Sequence, residues 1–166
     1  MARLTNLYAA LSETNKAIVL LSTPEELFRE VCRIAVEHGK FELAGIMVVA
    51  AGEERVGEFV ASFGLHQKNL LEIRIELDRE GAHLNGPVAT SIRRGVTSIS
   101  NDFLNDPGTV FWRQLASSAN FRSGGAFPLR REGKIMGALA VYSSEAGIFG
   151  TDLIDLLNEM ALNLSS

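Results

Sequence analysis

The sequence predicts an α+β domain with a mostly antiparallel sheet, and three features of its apolar pattern support this. Up to about residue 38 the apolar residues recur at helical spacing. After that point they form alternating or continuous runs of strand length, and helical spacing returns at the end of the chain. The order is two helices, a hairpin, a strand, two short helices with strands between them, a second hairpin and a final helix. That order is typical of the α+β class.

Two helices are predicted before the first strand. Between Arg3 and Leu21 the apolar residues are spaced alternately by three and four, which is the spacing of a coiled-coil seam. The members of this seam are Leu4, Leu7, Leu11, Ile18 and Leu21, with Thr14 in the one polar position. The sequence Ser22-Thr23-Pro24, followed by two glutamates, then indicates a new helix start, and Gly39 is expected to end that helix.

Three strands are predicted next. The apolar run from Phe41 to Ala51 and the stretch VGEFVASF are separated by the turn AGEER, so they are expected to form a hairpin. The stretch EIRIEL alternates from Glu72 to Leu77 and predicts a strand with one face in water. The stretch DREGAHLNGP after it is predicted to be a loop.

The second half of the chain combines short helices with strands. A short helix is predicted from Pro87 to Ile92, followed by the strand VTSIS, and another helix is predicted from Trp112 to Ala119. A second hairpin is predicted in FRSGGAFPLRREGKIMGALAVYSS. The last helix is expected to run from a capping Thr151 to Leu164. Its apolar residues Leu153, Leu156, Leu157, Met160 and Leu164 lie on one side.

The composition excludes several classes of protein. The formal net charge is -4 and the cations are not clustered, which argues against a nucleic-acid surface. The single cysteine, Cys32, cannot form an internal disulfide or build a thiolate metal site alone, so a reducing, cytoplasmic setting is predicted. The longest apolar run, LAGIMVVAAG, is too short to span a membrane.

The sequence offers no recognisable catalytic or metal-binding constellation. His38, His66 and His83 are scattered, and neither a nucleophile elbow nor a phosphate-binding loop occurs. Cys32 lies near the apolar stripe of the second helix, which favours a buried structural thiol. We therefore predict no enzymatic activity, no metal and no certain cofactor for this domain. His83, in the loop before the Pro87 helix, is either a solvated residue or a ligand contact, with haem as one alternative.

The stretch NDFLNDPGTVFWRQL allows two interpretations. In the first, its Asn and Asp residues cap turns and the following helix, because short side chains of this type accept nearby backbone N–H groups. In the second, Phe103, Phe111 and Trp112 form an aromatic wall of a small-molecule pocket, and Asn101 and Asp102 supply hydrogen bonds. The two interpretations are compatible.

Four segments in this order resemble a GAF domain, a sensory module of bacterial signalling proteins. They are PEELFREVCRIAVEHGKFELAGI, GPVATSIRRG with NDFLNDP, the hairpin that begins at WRQLASSANFRSGG, and FGTDLIDLLNEMA. The sequences of these segments are most similar to GAF modules found beside PAS domains and the diguanylate cyclase or cyclic-di-GMP phosphodiesterase domains of bacteria. Histidine kinases carry similar modules.

The resemblance implies a central antiparallel sheet of about six strands. The terminal helices would cover one face, and short helices and loops would cover a pocket on the other. Residues 1–21 would then form a signalling helix, 22–150 the GAF core and 151–166 the C-terminal helix of a fragment from a longer signalling protein. A homodimer is expected through the seam of the first helix together with Leu153, Leu157, Met160 and Leu164.

Departures from known GAF classes narrow the expected ligand. A bilin is unlikely, because Cys32 lies on a helix away from the pocket side. Reduction of free methionine sulfoxide is argued against, because such GAF enzymes use several cysteines and one thiol cannot run a disulfide cycle. Of the Asn-Lys-Phe-Asp-Glu set of cyclic-nucleotide-binding modules, only Asn101 and Asp106 have counterparts. Gly45 stands where related modules tend to have tryptophan, which could enlarge the pocket.

The resulting hypothesis is a non-catalytic sensor that binds a small molecule and signals through its terminal helices to an output domain in the same chain. The alternative is a structural dimerisation module with no ligand, and a weaker one is a haem-based gas sensor. The predicted pocket residues are Gly45, Met47, His83, Asn101, Asp102, Phe103, Phe111, Trp112, Phe121, Ser123 and Phe127.

Overall fold

The computed structural model describes residues 2–50, 55–77, 86–105 and 120–165. Within these residues the helices are α1 (Ala2–Leu20), α2 (Pro24–Glu37), α3 (Gln67–Leu71), α4 (Pro87–Arg94) and α5 (Thr151–Ser165). The strands are β1 (Leu43–Ala50), β2 (Val56–Gly64), β3 (Arg74–Glu76), β4 (Ser98–Ser100), β5 (Ser123–Arg131) and β6 (Lys134–Ser143). The helix predicted from 112 to 119 lies outside the described residues.

The strands form one six-stranded antiparallel sheet in the order β3-β2-β1-β6-β5-β4. The two predicted hairpins, β1–β2 and β5–β6, lie side by side, because β1 also pairs with β6 and places Leu43 opposite Tyr142. This arrangement confirms the predicted α+β fold. It also gives the sheet two apolar faces, and each face has its own core.

The first core lies between the sheet and helices α1, α2 and α5. Helix α2 begins where the sequence indicates, since the Thr23 hydroxyl accepts the Glu26 N–H at 3.3 Å and Pro24 occupies the first turn. Its buried stripe, which includes Phe28, Val31 and Ile34, packs on the sheet. The terminal helices therefore cover one face, as predicted.

The seam of α1 packs largely within the chain, and the predicted dimer contact through it stays a prediction. Leu7, Thr14 and Leu157 are fully buried in this single chain, because α1 lies against α2 and α5. Leu153, Met160 and Leu164 are also buried, Ile18 is half-buried, and Leu4, Leu11 and Leu21 are half-buried against the same core. The three-four spacing identified an apolar stripe correctly. Within one chain, its partners are α2 and α5.

The second core lies on the opposite face, under α3, α4 and the chain that follows β4. Helix α4 starts at Pro87 and is capped after Arg94 by Gly95, whose φ of 66° is in the left-handed region that glycine adopts without strain. Helix α3 was not predicted. It spans only five residues, too few to show a helical repeat, and it follows His66 with a φ of 61°.

No helix among the described residues is both long and apolar enough to cross a membrane.

Candidate functional site

A cavity of about 70 Å³ lies in the second core, between the sheet and helices α3 and α4. Strands β1, β2, β3 and β6 contribute to it, as do α3, the start of α4 and the residues that follow β4 and precede β5. Its described lining residues are Leu43, Phe59, His66, Asn69, Leu70, Ile73, Ile75, Gly86, Pro87, Val88, Ala89, Phe103, Phe121 and Tyr142. The lining is almost wholly apolar, as small-molecule sites commonly are.

Phe103, Phe121 and Tyr142 form one side of the cavity, which we call the aromatic wall. The Tyr142 ring centroid lies 6.3 Å from that of Phe103 and 5.7 Å from that of Phe121. His66 extends the wall, since its ring meets Phe121 edge-on at 6.1 Å. These separations are typical of interacting aromatic pairs, so the rings hold one another in place.

Three polar side chains border the cavity: His66, Asn69 and Tyr142. Within the described part of the chain, none of them makes a side-chain hydrogen bond. Burial raises the pKa of the Tyr142 hydroxyl well above its usual value. This group therefore stays protonated at neutral pH and can donate a hydrogen bond to a bound molecule.

Gly45 and Met47 lie on the cavity face of β1 but beneath the lining. A Cβ at Gly45 would come within 2.7 Å of Leu70 Cδ1 and 2.9 Å of Phe59 Cδ1. The space that a side chain would take is therefore filled by Leu70 and Phe59, which do line the cavity. Gly45 sets how deep these two side chains sit, and Met47 is fully buried beside Gly57.

Asn101 fixes the chain in front of α5 and does not line the cavity. Its Oδ1 accepts the Phe149 N–H at 2.9 Å, and its Nδ2 donates to the Phe149 carbonyl oxygen at 3.3 Å. Its own carbonyl oxygen accepts the Gly147 N–H at 2.8 Å. The predicted role of Asn101 in ligand binding is corrected, because its side chain is already occupied by the backbone.

Asp102 has the capping role of the first interpretation. Its Oδ2 accepts a hydrogen bond from Asn105 Nδ2 at 2.7 Å, and its Oδ1 accepts the Leu104 N–H at 3.2 Å. The Asn105 hydrogen bond is the largest cause that lowers the pKa of the Asp102 carboxyl, with further contributions from Leu104 and the Arg122 guanidinium. Asp102 therefore caps its own turn, and the lining includes its neighbour Phe103 instead.

Ser123 and Phe127 face the other side of the sheet, which corrects their prediction as pocket residues. Phe127 is fully buried in the core under α1, α2 and α5. Ser123 has the same parity along β5, and its hydroxyl donates to the Glu145 carbonyl oxygen at 2.6 Å. Phe121 lines the cavity because it precedes the strand.

His83, Phe111 and Trp112 lie outside the described residues, as does Asp106. Their assignments as pocket residues, and the haem alternative that depended on His83, stay predictions. Within the described ranges, no group of three or more His, Cys, Asp or Glu side chains could hold a metal ion.

The sequence reasoning missed Tyr142 and His66 as site residues. Tyr142 ends the series Ala138, Ala140, Tyr142, whose period of two placed all three on one face of β6. That signal was available. His66 had no such signal, because it is brought to the cavity by the turn that starts α3.

Cys32 is remote from the cavity. It is fully buried on α2 within the first core, on the opposite face of the sheet. Burial raises the pKa of its thiol to about 12, so it is neutral and unreactive in the folded protein.

We expect Cys32 to resist thiol reagents until the domain unfolds, because the reactive thiolate is neither exposed nor populated. The measurement is the rate of modification by a disulfide reagent at pH 8, in buffer and in unfolding concentrations of urea. Labelling in buffer as fast as in urea would place Cys32 on the surface and contradict the assigned core.

The chain belongs to the GAF domain family, whose profile matches residues 22–166. No curated protein matches it.

Solved structures with the same fold include free methionine-R-sulfoxide reductases and a GAF domain of a phosphotransferase. A free methionine-R-sulfoxide reductase from Neisseria meningitidis, in complex with its substrate, has a TM-score of 0.77 at 19% identity and covers 96% of this chain and 86% of its own. The reduced form of the corresponding Staphylococcus aureus protein has a TM-score of 0.76 at 14% identity, over 97% and 94%. The GAF domain of a Coxiella burnetii phosphoenolpyruvate-protein phosphotransferase has a TM-score of 0.75 at 14% identity. The match covers 98% of this chain and 92% of that domain.

These reductases correct the prediction that the domain is not an enzyme. They share its fold over most of their length, so this fold accommodates catalysis. At such low identity the likeness shows the fold alone.

Proposed function

We propose that this GAF domain binds a small molecule in the cavity beside the aromatic wall and transmits its occupancy through α1 and α5. The observation that supports this most directly is the cavity itself. Well-packed cores contain few voids larger than a water molecule. This cavity is bordered by aromatic rings and by polar groups that have no side-chain partner among the described residues. The rival, a structural module filled by its own side chains, would not need such a space.

A short chain of contacts links the aromatic wall to α5. Phe103 belongs to the wall, and its N–H donates to the Arg122 carbonyl oxygen at 2.8 Å. Two residues earlier, Asn101 holds the backbone of Phe149, just before α5 begins at Thr151. A ligand that displaces Phe103 therefore acts on a segment that is tied to the start of α5. Such a link switches only if the ligand binds two arrangements with different affinity.

The output would be a domain joined to α1 or α5, such as a diguanylate cyclase, a cyclic-di-GMP phosphodiesterase or a histidine kinase. We propose that a homodimer forms through the outward face of the terminal helices. The inward seam is occupied, but Tyr8, Val19 and Leu20 on α1 and Leu162 on α5 are exposed apolar side chains.

The proposal is tested by mass spectrometry of small molecules released from purified protein, compared with a cavity-filling variant. Val88 lines the cavity, so the larger side chain in Val88→Phe should fill the space. The amount of small molecule released from this variant should fall at least tenfold. Val96 is 46% exposed and does not line the cavity, so Val96→Phe is the matched control and should retain the ligand.

Thermal unfolding of both variants checks that they remain folded, because overpacking a core lowers the free energy of unfolding by about 1–3 kcal/mol. Loss of ligand from a folded variant then comes from the filled cavity. A wild-type protein that releases nothing, and whose full-length output is unchanged by Val88→Phe under every stimulus, would remove the ligand from the proposal.

The second candidate function is catalysis on a small molecule in the same cavity, which the two reductases favour. Incubation with free methionine-R-sulfoxide and a thiol reductant, with methionine as the measured product, tests it. The single cysteine lies on the other face of the sheet, so a thiol-dependent reaction would require Cys32 to leave its core. Product formation that persists in Cys32→Ser and disappears in Val88→Phe would locate the reaction in the cavity.

A further inference from the structure

We propose that the cavity selects small, uncharged, mainly apolar molecules that carry one hydrogen-bond acceptor, and that Tyr142 donates to this acceptor. The inference rests on the proposed function, because it assigns a ligand class to the same cavity. Three observations support it: the described lining, the volume of the cavity, and the Tyr142 hydroxyl, which has no hydrogen-bond partner among the described residues.

The described lining contains no Lys, Arg, Asp or Glu. An ion placed among these apolar side chains would lose its hydration without gaining a partner of opposite charge, which is costly. The ion pair beside the wall consists of Arg122 and Asp102, with 3.5 Å between Arg122 Nη2 and Asp102 Oδ1. These two residues are chain neighbours of Phe121 and Phe103, they are not part of the lining, and they offset each other. The described surroundings of the cavity therefore favour a neutral ligand.

The volume limits the size of the ligand. At about 70 Å³ the cavity is smaller than the roughly 150 Å³ that accepts a benzene ring in an engineered protein. The part of the ligand that it encloses should therefore have about five non-hydrogen atoms. His66 and Asn69 are exposed lining residues, so a longer molecule would reach solvent on their side.

The Tyr142 hydroxyl is placed to hydrogen-bond to one polar atom of a ligand in the cavity. It is held between Phe103 and Phe121, and in the sheet it stands between Leu43 and Gly124. A Cβ at Gly124 would come within 2.6 Å of Phe103 Cζ, so the glycine leaves room for the wall to lie on the sheet. The hydroxyl has no partner in the described chain and stays protonated. An acceptor oxygen on the ligand would satisfy it, and such a hydrogen bond contributes a factor of about two to ten in affinity.

The test is an NMR titration of the whole chain with four probes of nearly equal size: butan-1-ol, n-pentane, butyrate and n-butylammonium. The signals of the Leu43 and Val88 methyl groups report on the cavity. We expect butan-1-ol to shift them at millimolar concentration, with the two ions at least tenfold weaker. Tyr142→Phe should weaken butan-1-ol about two- to tenfold and leave n-pentane unchanged, and Val88→Phe should abolish both.

Several results would overturn the inference. One is tighter binding of butyrate, n-butylammonium or free methionine sulfoxide than of butan-1-ol. If Arg122→Gln then removed the binding of butyrate, the charge partner would be identified, and the proposed ligand-binding function would stand without this ligand class. If Tyr142→Phe weakened the binding of butan-1-ol and of n-pentane equally, the hydroxyl would not donate a hydrogen bond to a ligand acceptor. Absence of any shift with the uncharged probes would also overturn it, while the release experiment decides the proposed function separately.

Discussion

Replacing Gly137 with alanine is expected to lower the free energy of unfolding by about 3 kcal/mol, the upper end of the cost of overpacking. Gly137 is in β6, next to β1 at the centre of the sheet. A Cβ there would lie 1.9 Å from the Met47 carbonyl oxygen and 3.1 Å from the Val48 Cα. These are backbone atoms, so no side-chain rotation can relieve the contact, and the strands must separate locally.

The control for this change is Gly150→Ala. Gly150 has a backbone that accepts alanine, and a Cβ there would meet no atom within 4 Å. Urea unfolding followed by circular dichroism should give a loss for Gly137→Ala and a change within about 0.5 kcal/mol for Gly150→Ala. Equal midpoints for the two variants would mean that β1 and β6 do not pair in this register.

The order of helices and strands could be predicted from the sequence because each helix start, turn and apolar pattern lies within one short segment. Thr23 and Pro24 mark the start of α2, and the runs on either side of the Arg131-Glu132-Gly133 turn indicate the second hairpin. The apolar stripes of α1, α2 and α5 showed that each helix lies on a core, and the resemblance to a GAF domain implied that they share one face of the sheet. These patterns are read within one segment, so they need no knowledge of the partner.

Other properties depend on distant parts of the chain. These are the element that packs on an apolar helix stripe and the face of the sheet on which a strand residue lies. The α1 seam could not reveal whether α5 or another copy would pack on it. A shift of one residue in strand register exchanges the two faces of a strand, which is why Phe127 was assigned to the pocket. The cavity itself depends on a five-residue helix and on the turn at His66, neither of which has a repeat to detect.

The two faces can be separated experimentally with Phe127→Ala and Phe103→Ala. Phe127 is fully buried among the helices, so its truncation should lower the free energy of unfolding by about 3–5 kcal/mol and leave the binding of butan-1-ol in the cavity within twofold. Phe103 is 3% exposed and lines the cavity, so removing its ring changes the shape of the cavity itself. Phe103→Ala should therefore change probe binding more than tenfold. Phe127→Leu, which keeps an apolar side chain, guards against loss of the fold. If Phe127→Leu altered binding and Phe103→Ala did not, β5 would present the opposite face to the cavity.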